Sequence, residues 1–530
     1  MLARCSSAAL QGLEGREVAV EVDIAPGLPG IQIVGLAEAT VRDARERVRA
    51  ALRNSGFRVP LTRVIVSLAP ADLRKEGPAF DLPIALGLLL ASGQLPPERM
   101  KGIWSAGELG LDGSLRPVRG VMALALAARR GGARALVVPQ ANGGEAALVT
   151  ELAVWPANDL AQLMGWLADL RGIPVPVPAL AQPGSGQPDL AEVIGQAHGR
   201  RALEIAAAGG HHLLLVGPPG SGKTMLARRL AGLLPPLPRQ EALELTQLYS
   251  VAGLLPEGGA LMCSRPFRSP HHSCTATALV GGGATPRPGE LSLAHHGVLF
   301  LDELAEFRRE VLEQLRQPLE EGEVWISRSR QQSRFPCRAT LVAATNPCPC
   351  GWFGDPERTC VCGEAQQRRY WSRLSGPLLD RLDLQVVMGR LEPGALARSY
   401  GLEAERAAGR GKRPENSAVV AARVLKARQR MVRRNPDGRA NGQLTGRCLR
   451  SVVQLSEGSL QLWQQAITRR GLSARAGERL LRVALTLADL EDTQAVSAQH
   501  LGEALSYRSF DQIGNDSSLK TAGRHEAERR

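Results

Sequence analysis

The stretch Leu213-Leu-Leu-Val-Gly-Pro-Pro-Gly-Ser-Gly-Lys-Thr224 joins four apolar residues to a loop almost without side chains, closed by an amine and a hydroxyl. Leu213 to Val216 read as a buried strand, and Met225-Leu-Ala-Arg-Arg-Leu-Ala-Gly232 has helical spacing. Between them, Gly217, Pro218, Pro219, Gly220, Ser221 and Gly222 let backbone N–H groups turn inward around phosphates, with the dipole of the next helix behind them. Lys223 would set a point charge on the β- and γ-phosphates, and the Thr224 hydroxyl would ligate Mg2+. This is the G-x-x-x-x-G-K-[ST] pattern in the strand–loop–helix context that it needs, so ATP with Mg2+ is the expected ligand.

A nucleotide site needs a second half, and Gly297-Val-Leu-Phe-Leu-Asp302-Glu303 has its form: an apolar strand ending in two carboxylates. Asp302 would orient the Mg2+ shell and Glu303 would polarise the attacking water. Ala339-Thr-Leu-Val-Ala-Ala-Thr-Asn346 is a third strand, ending in an amide. An Asn before a Pro is by itself more often a turn residue. The order phosphate loop, Asp-Glu, Asn decides for function, and it resembles AAA+ ATPases, where an amide here is sensor 1 and touches the γ-phosphate or the water. The same resemblance implies roles for two arginines. Arg381, in Gly376-Pro-Leu-Leu-Asp-Arg381-Leu-Asp-Leu, stands where an arginine finger reaches the neighbouring subunit's nucleotide. Arg475, in Gly471-Leu-Ser-Ala-Arg475-Ala-Gly-Glu-Arg479, stands where sensor 2 contacts the γ-phosphate from the lid, with Arg479 the competing assignment.

The chain before this site, residues 1–170, alternates strand and helix signals. Val18-Ala-Val-Glu-Val-Asp-Ile has strand period, residues 37–55 form an amphipathic helix, and Arg63-Val-Ile-Val-Ser-Leu is a strand. Residues 80–90 read as a buried helix, and Gly107-Glu-Leu-Gly-Leu-Asp-Gly-Ser as a hairpin, since Asp112-Gly113 is a strong turn signal. Residues 121–130 read as a helix and 135–139 as a strand, giving an α+β pattern. Lys75-Glu-Gly-Pro-Ala-Phe-Asp-Leu-Pro-Ile-Ala, Gly107-Glu-Leu, Arg116-Pro-Val-Arg-Gly-Val-Met-Ala and Arg130-Gly-Gly-Ala-Arg-Ala-Leu-Val-Val-Pro resemble the proteolytic domain of Lon-type proteases. Such enzymes use a Ser nucleophile activated by a Lys. Here Ala79 holds the Ser position and Met122 the Lys position, so neither nucleophile nor base is present. Lys75 and Glu76 are then expected to be surface charges.

Pro- and Gly-rich residues 171–188 read as a linker. They divide residues 1–170 from an ATPase core over 189–395, in which residues 189–208 are expected to lead into the phosphate loop as one helix. Two insertions follow. Arg265-Pro-Phe-Arg-Ser-Pro-His-His and its continuation to Gly283 hold three consecutive glycines, read as a mobile loop. His271, His272, His295 and His296 lack the spacing of a helical zinc pair and read as structural or pore-lining. Residues 323–338 read as two strands around a polar tip, with Arg328, Arg330 and Arg334 as candidate phosphate contacts for DNA. Cys348-Pro-Cys350 and Cys360-Val-Cys362 put four thiols within fifteen residues. A structural zinc knuckle and a set of reduced, buried thiols both fit this spacing.

Residues 396–510 read as a small helical lid. Its first helix, residues 415–434, carries Arg423, Lys426 and Arg430 on one face, which suits either DNA or solvent. Residues 511–530 are polar and read as a disordered tail.

Over 530 residues, 44% apolar composition is ample for several cores. The formal net charge of +13 permits a polyanionic partner without showing one. The excess is local: residues 403–450 hold 13 Lys/Arg against 4 Asp/Glu, a net of +9. Nine scattered cysteines argue against a secreted disulfide framework, and no apolar run is long enough to span a bilayer. A cytoplasmic protein is expected.

Taken in order, these segments resemble the magnesium-chelatase-like branch of AAA+ ATPases, and with the Lon-like domain the whole chain resembles the YifB/ComM family. The fold implied is α/β multidomain: a Lon-protease-like α+β domain, an AAA+ α/β core and a small helical lid. The function implied is that of a hexameric helicase driving branch migration when incoming DNA is integrated during natural transformation. The residues by themselves indicate a ring-type nucleoside triphosphatase. A magnesium-chelatase ATPase subunit and a protein-remodelling ATPase stay open beside the DNA motor.

Overall fold

The structure, a computed structural model, describes residues 2–36, 38–169, 173, 186–256, 261–283, 285–328, 331–374, 376–391 and 414–508. Most of the expected linker, the first part of the lid, Arg330 and the tail lie outside the described residues.

Nine strands belong to the N-terminal part: β1 (Leu2–Gln11), β2 (Glu14–Ala25), β3 (Gly30–Val34), β4 (Arg63–Ala69), β5 (Ile103–Ser105), β6 (Glu108–Leu109), β7 (Leu115–Arg116), β8 (Ala135–Pro139) and β9 (Ala153–Ala157). Seven form one mixed sheet in the order β3-β4-β2-β1-β5-β8-β9. Its longest pairing is the antiparallel hairpin β1–β2, in register from Leu2 opposite Asp23 to Gln11 opposite Glu14. Beyond Asp81, which pairs with Arg47 at 2.7 Å, the helix Asp81–Ala91 is apolar all round, and it is buried at every residue. β6 and β7 form the expected small hairpin around Asp112-Gly113. The expected helix over 37–55 is instead two pieces, Ala39–Arg42 and Ala44–Asn54; Asp43 keeps helical angles (φ −71°, ψ −13°), so only the hydrogen-bond ladder lapses there.

Strands β10 (Leu213–Val216), β11 (Phe267–Arg268), β14 (Val298–Leu301), β17 (Thr340–Thr345) and β18 (Leu384–Val387) build a second, wholly parallel sheet in the order β11-β14-β17-β10-β18. Runs such as Leu-Leu-Leu-Val and Val-Leu-Phe-Leu are buried throughout, as parallel strands covered on both faces demand. The helix before β10 is shorter than expected, Ala197–Gly209. Gly195 (φ 62°) and Gln196 (φ 52°) break it, and Leu190–Glu192 forms a separate 3-10 turn capped by Asp189.

Two of the three glycines expected to form a mobile loop enter a two-stranded ribbon, β12 (Gly281–Gly282) with β13 (Arg287–Pro288). A side chain at Gly281 would meet Arg287 O at 2.6 Å, so close backbone pairing, not freedom, is what glycine serves there. β15 (Glu323–Arg328) and β16 (Gln331–Pro336) form the expected hairpin.

The C-terminal part is helical: Ser417–Arg434, Gly446–Val452, Glu457–Arg470, Ala474–Leu490 and Ala498–Ser506. Asn416, Ser456, Ser473 and Ser497 each accept a backbone N–H at a helix start. Val420, Val424, Met431, Leu480 and Leu487 share one core with Leu213 and Val386 of the sheet.

The N-terminal part docks on the helix Arg239–Ala252. Ser250 donates its hydroxyl to buried Glu145 and accepts Gly120 N–H at 3.1 Å, and Gln247 donates to Leu13 O at 2.6 Å.

Candidate nucleotide site

The residues read as a nucleotide site lie at or just beyond the carboxyl ends of β10, β14 and β17, the edge where open parallel sheets bind ligands. Adjacency in the sheet brings together segments that are more than a hundred residues apart. Gly217 N–H bonds to Thr345 O at 3.2 Å, tying the phosphate loop to the end of β17. Gly220 (φ 79°) and Gly222 (φ 88°) adopt left-handed angles that L side chains resist. Lys223 opens the helix Lys223–Leu233, and its ammonium donates to Gly217 O at 2.6 Å, Pro218 O at 3.0 Å and Asn346 Oδ1 at 3.2 Å. Burial pulls the Lys223 pKa below its usual range, opposed by the charges of Asp302 and Glu303. The Thr224 hydroxyl donates to Asp302 Oδ2 at 2.7 Å. Phosphate loop, acidic strand end and amide therefore converge on one cluster. Its donor set fits a nucleoside triphosphate with Mg2+: an amine among loop atoms, a hydroxyl beside a carboxylate, and a loop of left-handed glycines.

Glu303 sits at φ 51°, and its carboxylate lies 3.1 Å from His272 Nδ1. From sequence His272 reads only as a structural or pore-lining residue. Only folding sets it against Glu303, thirty-one positions away. Gln196 was missed altogether: its amide donates to Ser221 O (3.2 Å) and Gly389 O (2.7 Å), strapping the loop from the side. No local pattern marks such a residue.

Arg381 and Arg475 meet elsewhere, at Glu320. Arg381 is nearly buried, with Nη2 at 2.6 Å from Glu320 and Nε donating to Arg316 O at 3.0 Å. Arg475 is exposed, 4.0 Å from the same carboxylate. Arg479 turns to Asp383 at 3.6 Å. Asp383 also faces His211 at 3.1 Å, and the His211, Arg482 and Arg479 charges hold it far below the ordinary carboxylate range despite burial.

On the hairpin, Arg334 pairs with Glu323 and lies over Trp325, 5.7 Å from the ring centroid. Arg328 ends β15. In the lid, Arg423 pairs with Glu204 (2.5 Å) and Glu415 (2.6 Å), and Arg430 with Asp489 (3.6 Å) and Asp492. The expected basic face is thus largely an internal ion-pair seam, because the helix lies against carboxylates of neighbouring elements; Lys426 is exposed.

The four cysteines come together, all Sγ atoms within 4.8 Å of one another. Glu244, His295 and His296 also gather, which their spacing did not indicate. His295 Nδ1 accepts Arg338 N–H at 3.0 Å, so the proton of its neutral ring sits on Nε2, facing Glu244 at 3.5 Å. Burial lowers the His295 pKa to about 4.

Ala79 and Met122 pack in one apolar cluster of the N-terminal part. Lys75, expected at the surface, is fully buried: its ammonium donates to Pro70 O, and burial lowers its pKa. Glu76 is half-buried and bonds to Thr285 of the core, with burial raising its pKa. Neither is a simple surface charge, because this turn folds against the protein.

Comparison with known proteins agrees with this architecture. Residues 189–396 match the family described as magnesium chelatase, subunit ChlI; residues 20–142 match subunit ChlI of Mg-chelatase, and 414–508 its C-terminal region. The chain is 43% identical to YifB of Salmonella typhimurium over 512 residues, 97% of this chain and 98% of that protein. It is 43% identical to competence protein ComM of Haemophilus influenzae over 517 residues, 96% of this chain and 98% of that protein. Lon protease 2 of Thermus thermophilus is 28% identical over 130 residues, 23% of this chain and 16% of that protein. Among the described residues, no helix is long and apolar enough to cross a membrane. With a parallel-sheet core, a helical C-terminal part and this near full-length identity, the chain belongs to the YifB/ComM family of magnesium-chelatase-like AAA+ proteins, with a Lon-like N-terminal domain.

Proposed function

We propose that the chain is an ATP-hydrolysing, ring-forming motor that acts on DNA, a cytoplasmic hexameric helicase promoting branch migration as incoming DNA is integrated. The observation that carries the ATPase reading is the convergence of Lys223 with Asn346 and of Thr224 with Asp302. Gly217 to Thr224 would hold the phosphates; Thr224 and Asp302 would hold Mg2+, which neutralises charge developing on the β- and γ-phosphates. Glu303 would polarise the attacking water, and Asn346 would hydrogen-bond the γ-phosphate or that water. Arg381 completes a neighbouring subunit's site, and Arg475 contacts the γ-phosphate from the lid; in this structure both rest at Glu320. The DNA reading rests on likeness to a competence protein across 96% of the chain and on the Arg- and Trp-bearing hairpin. With Ala79 and Met122 at the dyad positions, the Lon-like domain is proteolytically inert and acts as a docking module.

The chelatase reading draws on the ChlI matches. ATP turnover of the purified protein, measured alone and with single-stranded or branched DNA, separates the two. Stimulation by DNA, with branch migration lost in Lys223→Ala, is expected. No binding and no stimulation at moderate salt would remove the DNA motor.

A further inference from the structure

We propose that Cys348, Cys350, Cys360 and Cys362 bind one zinc ion, and that this ion clamps the segment following Asn346 against the phosphate loop. The Sγ separations are 3.3 Å for Cys348–Cys350, 3.6 Å for Cys348–Cys360 and 3.6 Å for Cys350–Cys360, and all four lie within 4.8 Å of one another. A tetrahedral ion with Zn–S bonds of about 2.3 Å sets its sulfurs about 3.8 Å apart. The cage therefore has the size of a tetrathiolate site, while no pair is bonded as a disulfide.

The surroundings fit thiolates rather than packed thiols. Cys350 N–H points to Cys362 Sγ at 3.4 Å, and the Gln367 amide to Cys360 Sγ at 3.7 Å. Donors converging on sulfur are the usual outer layer of a thiolate metal site. The reading of four buried, reduced thiols suits Cys348 alone, since the other three are partly exposed.

The segment also needs a cross-link. Between β17 and the helix Glu364–Trp371 there is no described helix or strand, so no backbone ladder holds it. Its order comes from side chains: Trp352 lies between Arg358 (4.4 Å) and Arg390 (4.6 Å), and Arg390 pairs with Asp355 (3.4 Å) and Glu357 (3.1 Å). Binding energy of a structural zinc is folding energy for so small a unit. The consequence reaches the nucleotide cluster, because the first ligand lies two residues after Asn346. A side chain at Gly351 would come within 2.8 Å of Pro219 in the phosphate loop. Four protein ligands leave no open coordination position, so the ion is structural.

The test uses full-length protein purified without chelator. One zinc per chain is expected by elemental analysis, and cobalt-substituted protein should show the visible spectrum of tetrahedral tetrathiolate cobalt. Cys360→Ser/Cys362→Ser should lose the zinc while Cys448→Ser keeps it. Should the double variant not fold, mercurial titration of wild-type protein should release one zinc per chain. Zinc far below one per chain, iron in its place, or zinc unchanged in the double variant overturns the proposal. Metal content does not depend on whether the ring acts on DNA, so failure here is distinct from failure of the proposed activity.

Discussion

The Lys223 ammonium already touches three oxygens of the cluster, so its removal deletes a charge that the whole cleft is folded around. Lys223→Ala should lower ATP turnover at least about 100-fold, measured as steady-state phosphate release. Asn346→Ala should lower kcat by roughly 100-fold, about 2.7 kcal/mol of barrier, with a smaller change in KM, because a water-orienting group acts mainly in the transition state. His272 faces the Glu303 carboxylate at 3.1 Å. His272→Ala should free that carboxylate, raising DNA-independent kcat several-fold while KM for ATP stays near wild type.

At the scale of the element, the β15–β16 hairpin sets Trp325 directly opposite Arg334, with the indole 53% exposed. An aromatic face beside a guanidinium is a stacking platform for an unpaired base. Trp325→Ala should weaken single-stranded DNA binding by about 1–3 kcal/mol, and Arg334→Ala should reduce the salt slope by roughly one phosphate contact. Both are read from binding isotherms at several salt concentrations. The lid helix behaves otherwise. Arg423 and Arg430 are held by Glu204, Glu415 and Asp489, so Arg423→Ala should alter stability more than DNA affinity, read by thermal melting beside the same isotherms.

At the scale of the molecule, Glu145 joins the Lon-like domain to the core. It accepts Met122 N–H at 2.7 Å and the Ser250 hydroxyl, and it is buried. Glu145→Ala strands three buried donors, the Asn142 amide at 3.3 Å among them, and should cost about 1–3 kcal/mol, seen as a lower Tm or as earlier proteolysis between the domains. Burial raises the Glu145 carboxyl above its ordinary value of 4.5, against the hydrogen bonds that lower it. A raised carboxyl binds its proton more tightly in the folded state. Its stabilisation is therefore complete below that ordinary value and is lost as pH rises through the folded one. Melting followed from mildly acid to neutral pH should show this slope in wild type and a flatter one in Glu145→Ala.

Much of the site was legible because its chemistry is local. Glycines, a lysine and a hydroxyl must be contiguous to wrap a phosphate, and buried parallel strands must be apolar along their length, so Gly217 to Thr224, Asp302 and the strand before Asn346 could be read one after another. Ala79 and Met122 stand, by resemblance alone, where a Ser–Lys dyad is expected. What only the tertiary structure decided is pairing across distance: Lys223 with Asn346, Glu303 with His272, Arg381 with Arg475 at Glu320, Lys75 with Pro70 in the interior, and the lid arginines with their carboxylates. Side-chain type states what a residue is able to do. Sheet order and domain docking choose its partner, and the partner determines whether an arginine is free for phosphate or a lysine is free for solvent.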